Sequence, residues 1–147
     1  MNIENKYIAV IGAGESGIGA ALLAQKKGAK IFVSDFGIIK ENYRSELSKN
    51  SIDFEEEGHS TGRILNADLV IKSPGIPNES PIIESIKKKG ITILSEIEFA
   101  SRFSNAKTIC ITGSNGKTTT TMLVHHILEK AGYDVGFGGN IGKSFAR

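Results

Sequence analysis

The sequence predicts an α/β fold built on parallel strands. Three observations carry that expectation. Short apolar, β-branched runs alternate with helical patterns along the chain. Glycine is abundant, at 17 of 147 residues, and it clusters where a strand passes into a helix. Two such strand–glycine–helix starts lie about 100 residues apart, at Gly12 and Gly113. The chain therefore divides into two α/β units, residues 1–104 and 105–147, with the boundary in the polar segment Ser101–Lys107.

Each element has its own local reason. Tyr7–Ile11 (YIAVI) is a continuous apolar run, the pattern of a strand buried on both faces. Gly17–Lys27 follows as a helix, with small residues first and lysines last, where cations suit the dipole. Lys30–Ser34 is the second strand, Ile38–Lys49 a polar amphipathic helix and Ile52–Phe54 a short strand. Asp68–Lys72 is a strand stopped by Ser73-Pro74-Gly75. Pro81–Lys89 is a helix with proline in its first turn, and Gly90 separates it from the strand Ile91–Leu94. Glu96–Phe103 is a short helix. Thr108–Thr112 (TICIT) is a strand that leads through a glycine turn into the helix Thr118–Ala131, capped by Gly132, and Tyr133–Phe137 starts a further strand. Strands alternating with helices imply parallel pairing through right-handed crossovers.

Composition excludes several classes. Hydrophobic residues make up 39% and charged residues 23%, so the chain is globular and not disordered. No apolar run reaches the roughly 18 residues of a membrane helix. The start, MNIENKYIAVIG, lacks a basic region ahead of an apolar stretch, so no signal peptide is expected. A single cysteine, Cys110, excludes an internal disulfide framework and a cysteine-rich metal cluster. These features fit a reducing cytoplasm. The net charge of +2 is too balanced for a nucleic-acid binder.

Gly12-Ala13-Gly14-Glu15-Ser16-Gly17 is G-x-G-x-x-G between a strand and a helix. The first glycine permits the tight turn, the second lets a ligand approach the backbone, and the third lets helix and strand pack closely. The helix N-terminus then offers N–H groups to an anion. Asp35 ends the second strand, 18 residues after Gly17, where a dinucleotide enzyme places an acid for ribose hydroxyls. This turn points to a nucleotide-type ligand without saying which.

Thr112-Gly113-Ser114-Asn115-Gly116-Lys117-Thr118-Thr119 is a phosphate-binding loop of the short T-G-x-x-G-K-T form. Consecutive backbone N–H groups cradle phosphate oxygens. Lys117 adds a point charge on the outer phosphates, and the hydroxyls of Thr118 and Thr119 are placed for Mg²⁺ or phosphate.

Taken together, GAGESG, SPGIP (Ser73–Pro77), TGSNGKTT and GGNIG (Gly138–Gly142) resemble the Mur ligases of peptidoglycan synthesis. SPGIP about 60 residues after the first turn, with EIEFA (Glu96–Ala100) ahead of the TICIT strand, is most similar to the members that add D-glutamate. The likeness covers essentially the whole chain. It implies a Rossmann-like parallel-sheet N-terminal domain, followed by the start of a P-loop ATPase-type central domain. The first domain would hold UDP-N-acetylmuramoyl-L-alanine, with Gly14, Glu15, Ser16 and Gly17 at the diphosphate and Ser16 near the uridine. Asp35 would read the uracil edge, Gly75 would approach the diphosphate, and Asn140 would reach toward the UDP-sugar. The family often has a hydroxyl and a basic residue after the aspartate. Here Phe36 and Gly37 stand there, and Phe36 is expected to stack on the uracil instead. Gly113, Ser114, Asn115, Gly116, Lys117, Thr118 and Thr119 would bind ATP, with Thr118 on Mg²⁺ and Lys117 as the catalytic residue.

The reaction so implied is ATP-dependent amide formation through an acyl phosphate. D-Glutamate is the incoming amine, and the enzyme is a cytoplasmic monomer with neither nucleic-acid nor membrane partners. The family's later Mg²⁺ glutamate, modified lysine and D-glutamate-binding domain have no counterpart in these 147 residues. The chain therefore reads as an N-terminal fragment that binds without turning over. Two other classes remain open on the residues alone. An NAD(P)-dependent oxidoreductase would use G-x-G-x-x-G and Asp35 but leave the second loop unexplained. A nucleotide-binding module would bind and not catalyse.

Other conspicuous residues are read plainly. His125 and His126 are adjacent on a helix and point about 100° apart, so they cannot share a metal as an i, i+4 pair can. His59 is a loop histidine after Glu55-Glu56-Glu57, and Lys87–Lys89 is a solvated helix end. Cys110, Met122, Leu123, Ile127 and Leu128 are expected in a core.

Overall fold

The computed structural model describes residues 1–139 and 143–147. The sheet comprises β1 (Tyr7–Ile11), β2 (Lys30–Ser34), β3 (Asp53–Glu55), β4 (Leu69–Lys72) and β5 (Ile93–Ser95), all parallel, in the order β3-β2-β1-β4-β5. The helices of this unit are α1 (Glu15–Lys26), α2 (Glu41–Lys49), α3 (Thr61–Ile64), α4 (Pro81–Lys88) and α5 (Glu96–Ser101). The α/β class and the parallel Rossmann-like sheet follow the sequence expectation.

The side-chain period of two divides each central strand between two cores. Ile8 and Val10 of β1, with Leu69 and Ile71 of β4, face α1, α2 and α5 through Ile18, Ala21, Leu47 and Phe99. Ala9 and Ile11, with Phe32 and Val70, face α3 and α4 through Ile64, Ile82, Ile83 and Ile86. Both faces of β1 are therefore covered, and Ile8–Ile11 have no exposed surface. That is why the YIAVI run is apolar throughout rather than alternating.

Local chemistry sets the element ends. Ile38–Lys49 shortens to Glu41–Lys49 because Lys40 is extended (φ −57°, ψ 141°), which sends Ile39 into the core. Ser95 caps α5, its hydroxyl accepting from the Glu98 N–H at 3.1 Å. The one-turn helix α3 has no apolar periodicity in its sequence, Thr-Gly-Arg-Ile, and was not expected.

The second unit departs from expectation. Thr108–Thr112 and Tyr133–Phe137 are not strands. A strand exists only when a neighbour completes its ladder, and all the described strands belong to the first sheet. Ile109 is 62% exposed and Cys110 is exposed, not buried. The helix itself forms, as α6 (Lys117–Lys130). Its Met122, Leu123 and Ile127, expected in a core, are more than half exposed, and Leu128 is half-buried. No other described element covers this helix.

Residues 143–147 return to the first unit. Ser144 and Ala146 are buried there, and the Ser144 hydroxyl meets Gly19 of α1 so closely that a Cβ on Gly19 would collide with it. Among the described residues, no helix is long and apolar enough to cross a membrane, and no group of three His, Cys, Asp or Glu could hold a metal.

Candidate functional site

The strand order places a crevice at the centre of the sheet. From β1 the chain crosses to β2 on one side, and from β4 it crosses to β5 on the other. The loops after β1 and β4 therefore diverge at the carboxyl edge, the usual ligand crevice of such sheets. Those loops are the two turns singled out in the sequence, Gly12–Gly17 and Ser73–Pro77.

The two turns lock together. The Gly12 N–H donates to Ser34 O at 2.8 Å, and its φ of +98° lies in the left-handed region that favours glycine. The Ser73 N–H donates to Ile11 O at 3.0 Å, and the Ser73 hydroxyl donates to Gly12 O at 3.3 Å. A Cβ on Gly12 would come 2.9 Å from the Ser73 Cβ, and one on Gly17 would strike the Gly12 carbonyl. Gly14 and Gly75 are the opposite case, since a Cβ there would meet nothing within 4 Å. Two of these glycines serve packing, and two leave bare backbone open to an approaching group. The N-terminus of α1 carries no side-chain cap. That leaves N–H groups available to an anion and fits a diphosphate. The Lys72 ammonium braces the second turn by donating to Ile76 O at 2.7 Å.

The other expected substrate residues are distributed as follows. Asp35, expected at the uracil edge, accepts from the Ala13 N–H at 2.6 Å on one oxygen and from the Gly37 N–H at 2.8 Å on the other. Both oxygens are thus engaged in holding the first turn against the loop after β2. The Glu15 carboxylate turns away from the crevice. It accepts from Arg147 Nε at 2.7 Å and from the Ser144 N–H at 3.1 Å, while Arg147 also grips Glu46 at 2.6 and 2.8 Å. Hydrogen bonding to Arg147 holds both carboxyls below the usual range, and the same contacts push the guanidinium further up. Ser16 sits in the first turn of α1 and is half-buried. Asn140 lies outside the described residues.

Phe36 is 74% exposed and lines a cavity of about 500 Å³ that runs toward Ile76, Pro77 and the start of α4. That volume suits a small ligand or one end of a larger one. His59, read from the sequence as a loop residue, is part of the same wall. Its ring lies 5.9 Å from the Phe36 ring at a tilt of 47°. Its Nδ1 is 2.6 Å from the hydroxyl of Ser34, a fully buried residue.

The second loop turns sharply into α6. Gly116, the N-cap of α6, is left-handed (φ +76°), and Gly113 has φ +149°. A Cβ on Gly116 would meet nothing within 4 Å. The Lys117 ammonium folds over the loop onto the carbonyls of Gly113 and Ser114, so its charge sits above the backbone it would share with a phosphate. Ser114, Asn115, Thr118 and Thr119 are exposed around it. The set of one ammonium, two threonine hydroxyls and free helix N–H groups fits a nucleotide phosphate with a hard cation.

Residues 7–82 match the MurD N-terminal domain, and residues 111–145 match the Mur ligase middle domain. The chain is 57% identical over 141 residues to UDP-N-acetylmuramoylalanine–D-glutamate ligase of Bacteroides fragilis, covering 96% of this chain and 32% of that protein. It is 58% identical over 143 residues to the ligase of the same name from Porphyromonas gingivalis, covering 97% and 32%. The crystal structure of a murein peptide ligase from Psychrobacter arcticus superposes with a TM-score of 0.64 at 27% identity, over 87% of this chain and 27% of that one. The chain thus spans about a third of the length of the curated relatives it matches.

Proposed function

Because the chain belongs to the Mur ligase family, through a MurD N-terminal domain that fills more than half of it, we propose that it supplies the UDP-substrate and phosphate-binding parts of an ATP-dependent amide ligase. The whole enzyme joins D-glutamate to UDP-N-acetylmuramoyl-L-alanine through an acyl phosphate, in the cytoplasm and as a monomer. Residues 1–104 are the UDP-sugar-binding domain, and residues 105–147 begin the ATP-binding domain. The observation that carries this reading is the interlocked pair of turns at the sheet's central crevice, with Gly14 and Gly75 left bare.

Each group has a physical role. The N–H groups of Glu15, Ser16 and Gly17, at the positive end of α1, receive the diphosphate, and Gly75 lets it close in. Asp35 acts one step back, fixing the angle of the turn. Phe36 presents a ring face to the base, and Asn140 belongs to the same substrate set. Gly113 to Thr119 would hold the ATP phosphates, and the Thr118 hydroxyl would hold Mg²⁺. Bound ATP with Mg²⁺ supplies the phosphoryl group that activates the alanyl carboxylate. Two anions must meet in that step, and Lys117 neutralises part of their charge, the kind of contribution that dominates phosphoryl transfer. A nicotinamide enzyme would leave the Gly113–Thr119 loop idle, so the ligase reading accounts for more of the chain.

Calorimetric titration with UDP-N-acetylmuramoyl-L-alanine, alone and with excess NADH, tests the reading. Saturable binding that NADH does not weaken is expected. No binding, together with uptake of NADH, would overturn it. The 147 residues alone should bind without ligase turnover, and phosphate release in the presence of ATP, D-glutamate and the UDP-sugar would contradict that.

A further inference from the structure

His59, in the wall of the cavity beside the phosphate turns, heads a three-member relay, His59–Ser34–Glu55, that runs behind the wall and that none of the roles above uses. Ser34 and Glu55 are register partners on β2 and β3. The Ser34 Oγ lies 2.7 Å from Glu55 Oε1, 2.6 Å from His59 Nδ1 and 3.3 Å from Gly58 O. A hydroxyl has one proton to give, and an ionised carboxylate at short range is its strongest acceptor. Glu55 is ionised at neutral pH. Burial would raise its carboxyl, but hydrogen bonds from Ser60 and Ser34 outweigh burial and hold it below the usual range. Ser34 therefore donates to Glu55, and its lone pair faces His59. Only an Nδ1–H can meet that lone pair at 2.6 Å. Burial also pushes the His59 ring below its ordinary pKa, against the pull of Glu55 and Asp35, so the ring is neutral. A neutral ring with its proton on Nδ1 has a bare Nε2.

A second polar atom without a partner lies just behind the wall. Ser80, the N-cap residue of α4, has a buried hydroxyl with no hydrogen bond among the described residues. The remaining nearby wall, Phe36, Ile76 and Pro77, offers apolar surface. A flat ring that carries an N–H matches the bare Nε2 and the apolar surface.

We infer that His59 Nε2 accepts the ring N–H of a uracil base seated against Phe36, and that the relay thereby selects uridine over cytidine nucleotides. This rests on the UDP-sugar reading above. Uracil carries a proton on N3, whereas cytosine carries a lone pair at the same position and would set acceptor against acceptor. The selection is therefore made by a proton position fixed on β2 and β3 and not by cavity size.

The test titrates UDP and CDP into the wild-type chain and into His59→Phe, which keeps a ring in the wall and removes the acceptor. Wild type should bind UDP about tenfold more tightly than CDP, the effect of one matched against one opposed hydrogen bond. In His59→Phe the ratio should fall close to one, through weaker UDP binding and a gain for CDP, whose N3 lone pair no longer faces Nε2. A ratio that survives the substitution overturns the inference and leaves the UDP-sugar reading standing. A wild type that binds neither nucleotide overturns both. Long-range ¹H–¹⁵N spectra of the free wild-type protein give a readout that needs neither ligand nor variant. The expected result for His59 is a protonated Nδ1 and a bare Nε2. A protonated Nε2 overturns the inference even if UDP binds.

Discussion

The Ser73 hydroxyl donates to the Gly12 carbonyl at 3.3 Å, tying together two turns that lie 61 residues apart in the chain. Gly12→Ala should destabilise the first domain by about 1–3 kcal/mol, since the new Cβ meets Ser73 at 2.9 Å and the φ of +98° is strained for alanine. Ser73→Ala should cost less, about 1 kcal/mol. Urea unfolding monitored by circular dichroism measures both. A Gly12→Ala chain as stable as wild type would show that the turn can relax.

Asp35 is tied by its two oxygens to the N–H groups of Ala13 and Gly37. Asp35→Ala leaves both N–H groups without their acceptor and should cost about 1–3 kcal/mol. Asp35→Asn keeps one acceptor but sets its NH2 against the other N–H, and should cost nearly as much. Amide exchange at Ala13 reads the change directly, and unchanged protection in Asp35→Ala would remove the bracing role.

Lys117 is exposed and contacts only its own loop. Lys117→Ala should therefore weaken ATP binding about tenfold to a hundredfold, the worth of a charge-assisted contact, without shifting the melting temperature of the first domain. Isothermal titration alongside a thermal melt separates the two quantities. An equal loss in both would mean that the lysine is structural.

Arg147 lowers the carboxyls of Glu15 and Glu46 below their ordinary value of 4.5. Carboxyls depressed in the folded state stabilise docking of residues 143–147 above that value, and the contribution is lost as pH falls through their lowered pKa values. The amide resonance of Ala146 should therefore shift toward an undocked position as the pH is taken below about 4.5. In Arg147→Met the undocked position should already be present at neutral pH. A pH-independent resonance in the wild type would sink this account.

The parts legible in the sequence are those whose physics is local. YIAVI, KIFVS and DLVIK are apolar because the sheet is covered on both faces, and each became a strand of the sheet. Both glycine turns were readable because their residue types answer to φ, to close approach and to anion binding at one place. TICIT had the same apolar signature and did not become a strand, since pairing is a property of two segments. The apolar positions of α6 likewise marked a face without a described partner. His59 was the least legible residue. Its position depends on the register of Ser34 with Glu55, and nothing in Gly58-His59-Ser60 reveals that β3 will lie beside β2.

The strand order also imposes a timetable on synthesis. β1 is the middle of the sheet, yet one of its two neighbours is β4, whose paired residues follow some 61 positions later. A ribosome adding roughly 5–20 residues per second leaves the open edge of β1 waiting about 3–12 seconds for its second partner to be made. Until then Val10 and Ile11 belong to a nascent ribbon with an unsatisfied ladder, the state in which a chaperone holds a chain or another copy captures it. Completion of Leu69–Lys72 is thus the moment at which the central strand stops being an open edge, and β4 then waits more briefly for β5.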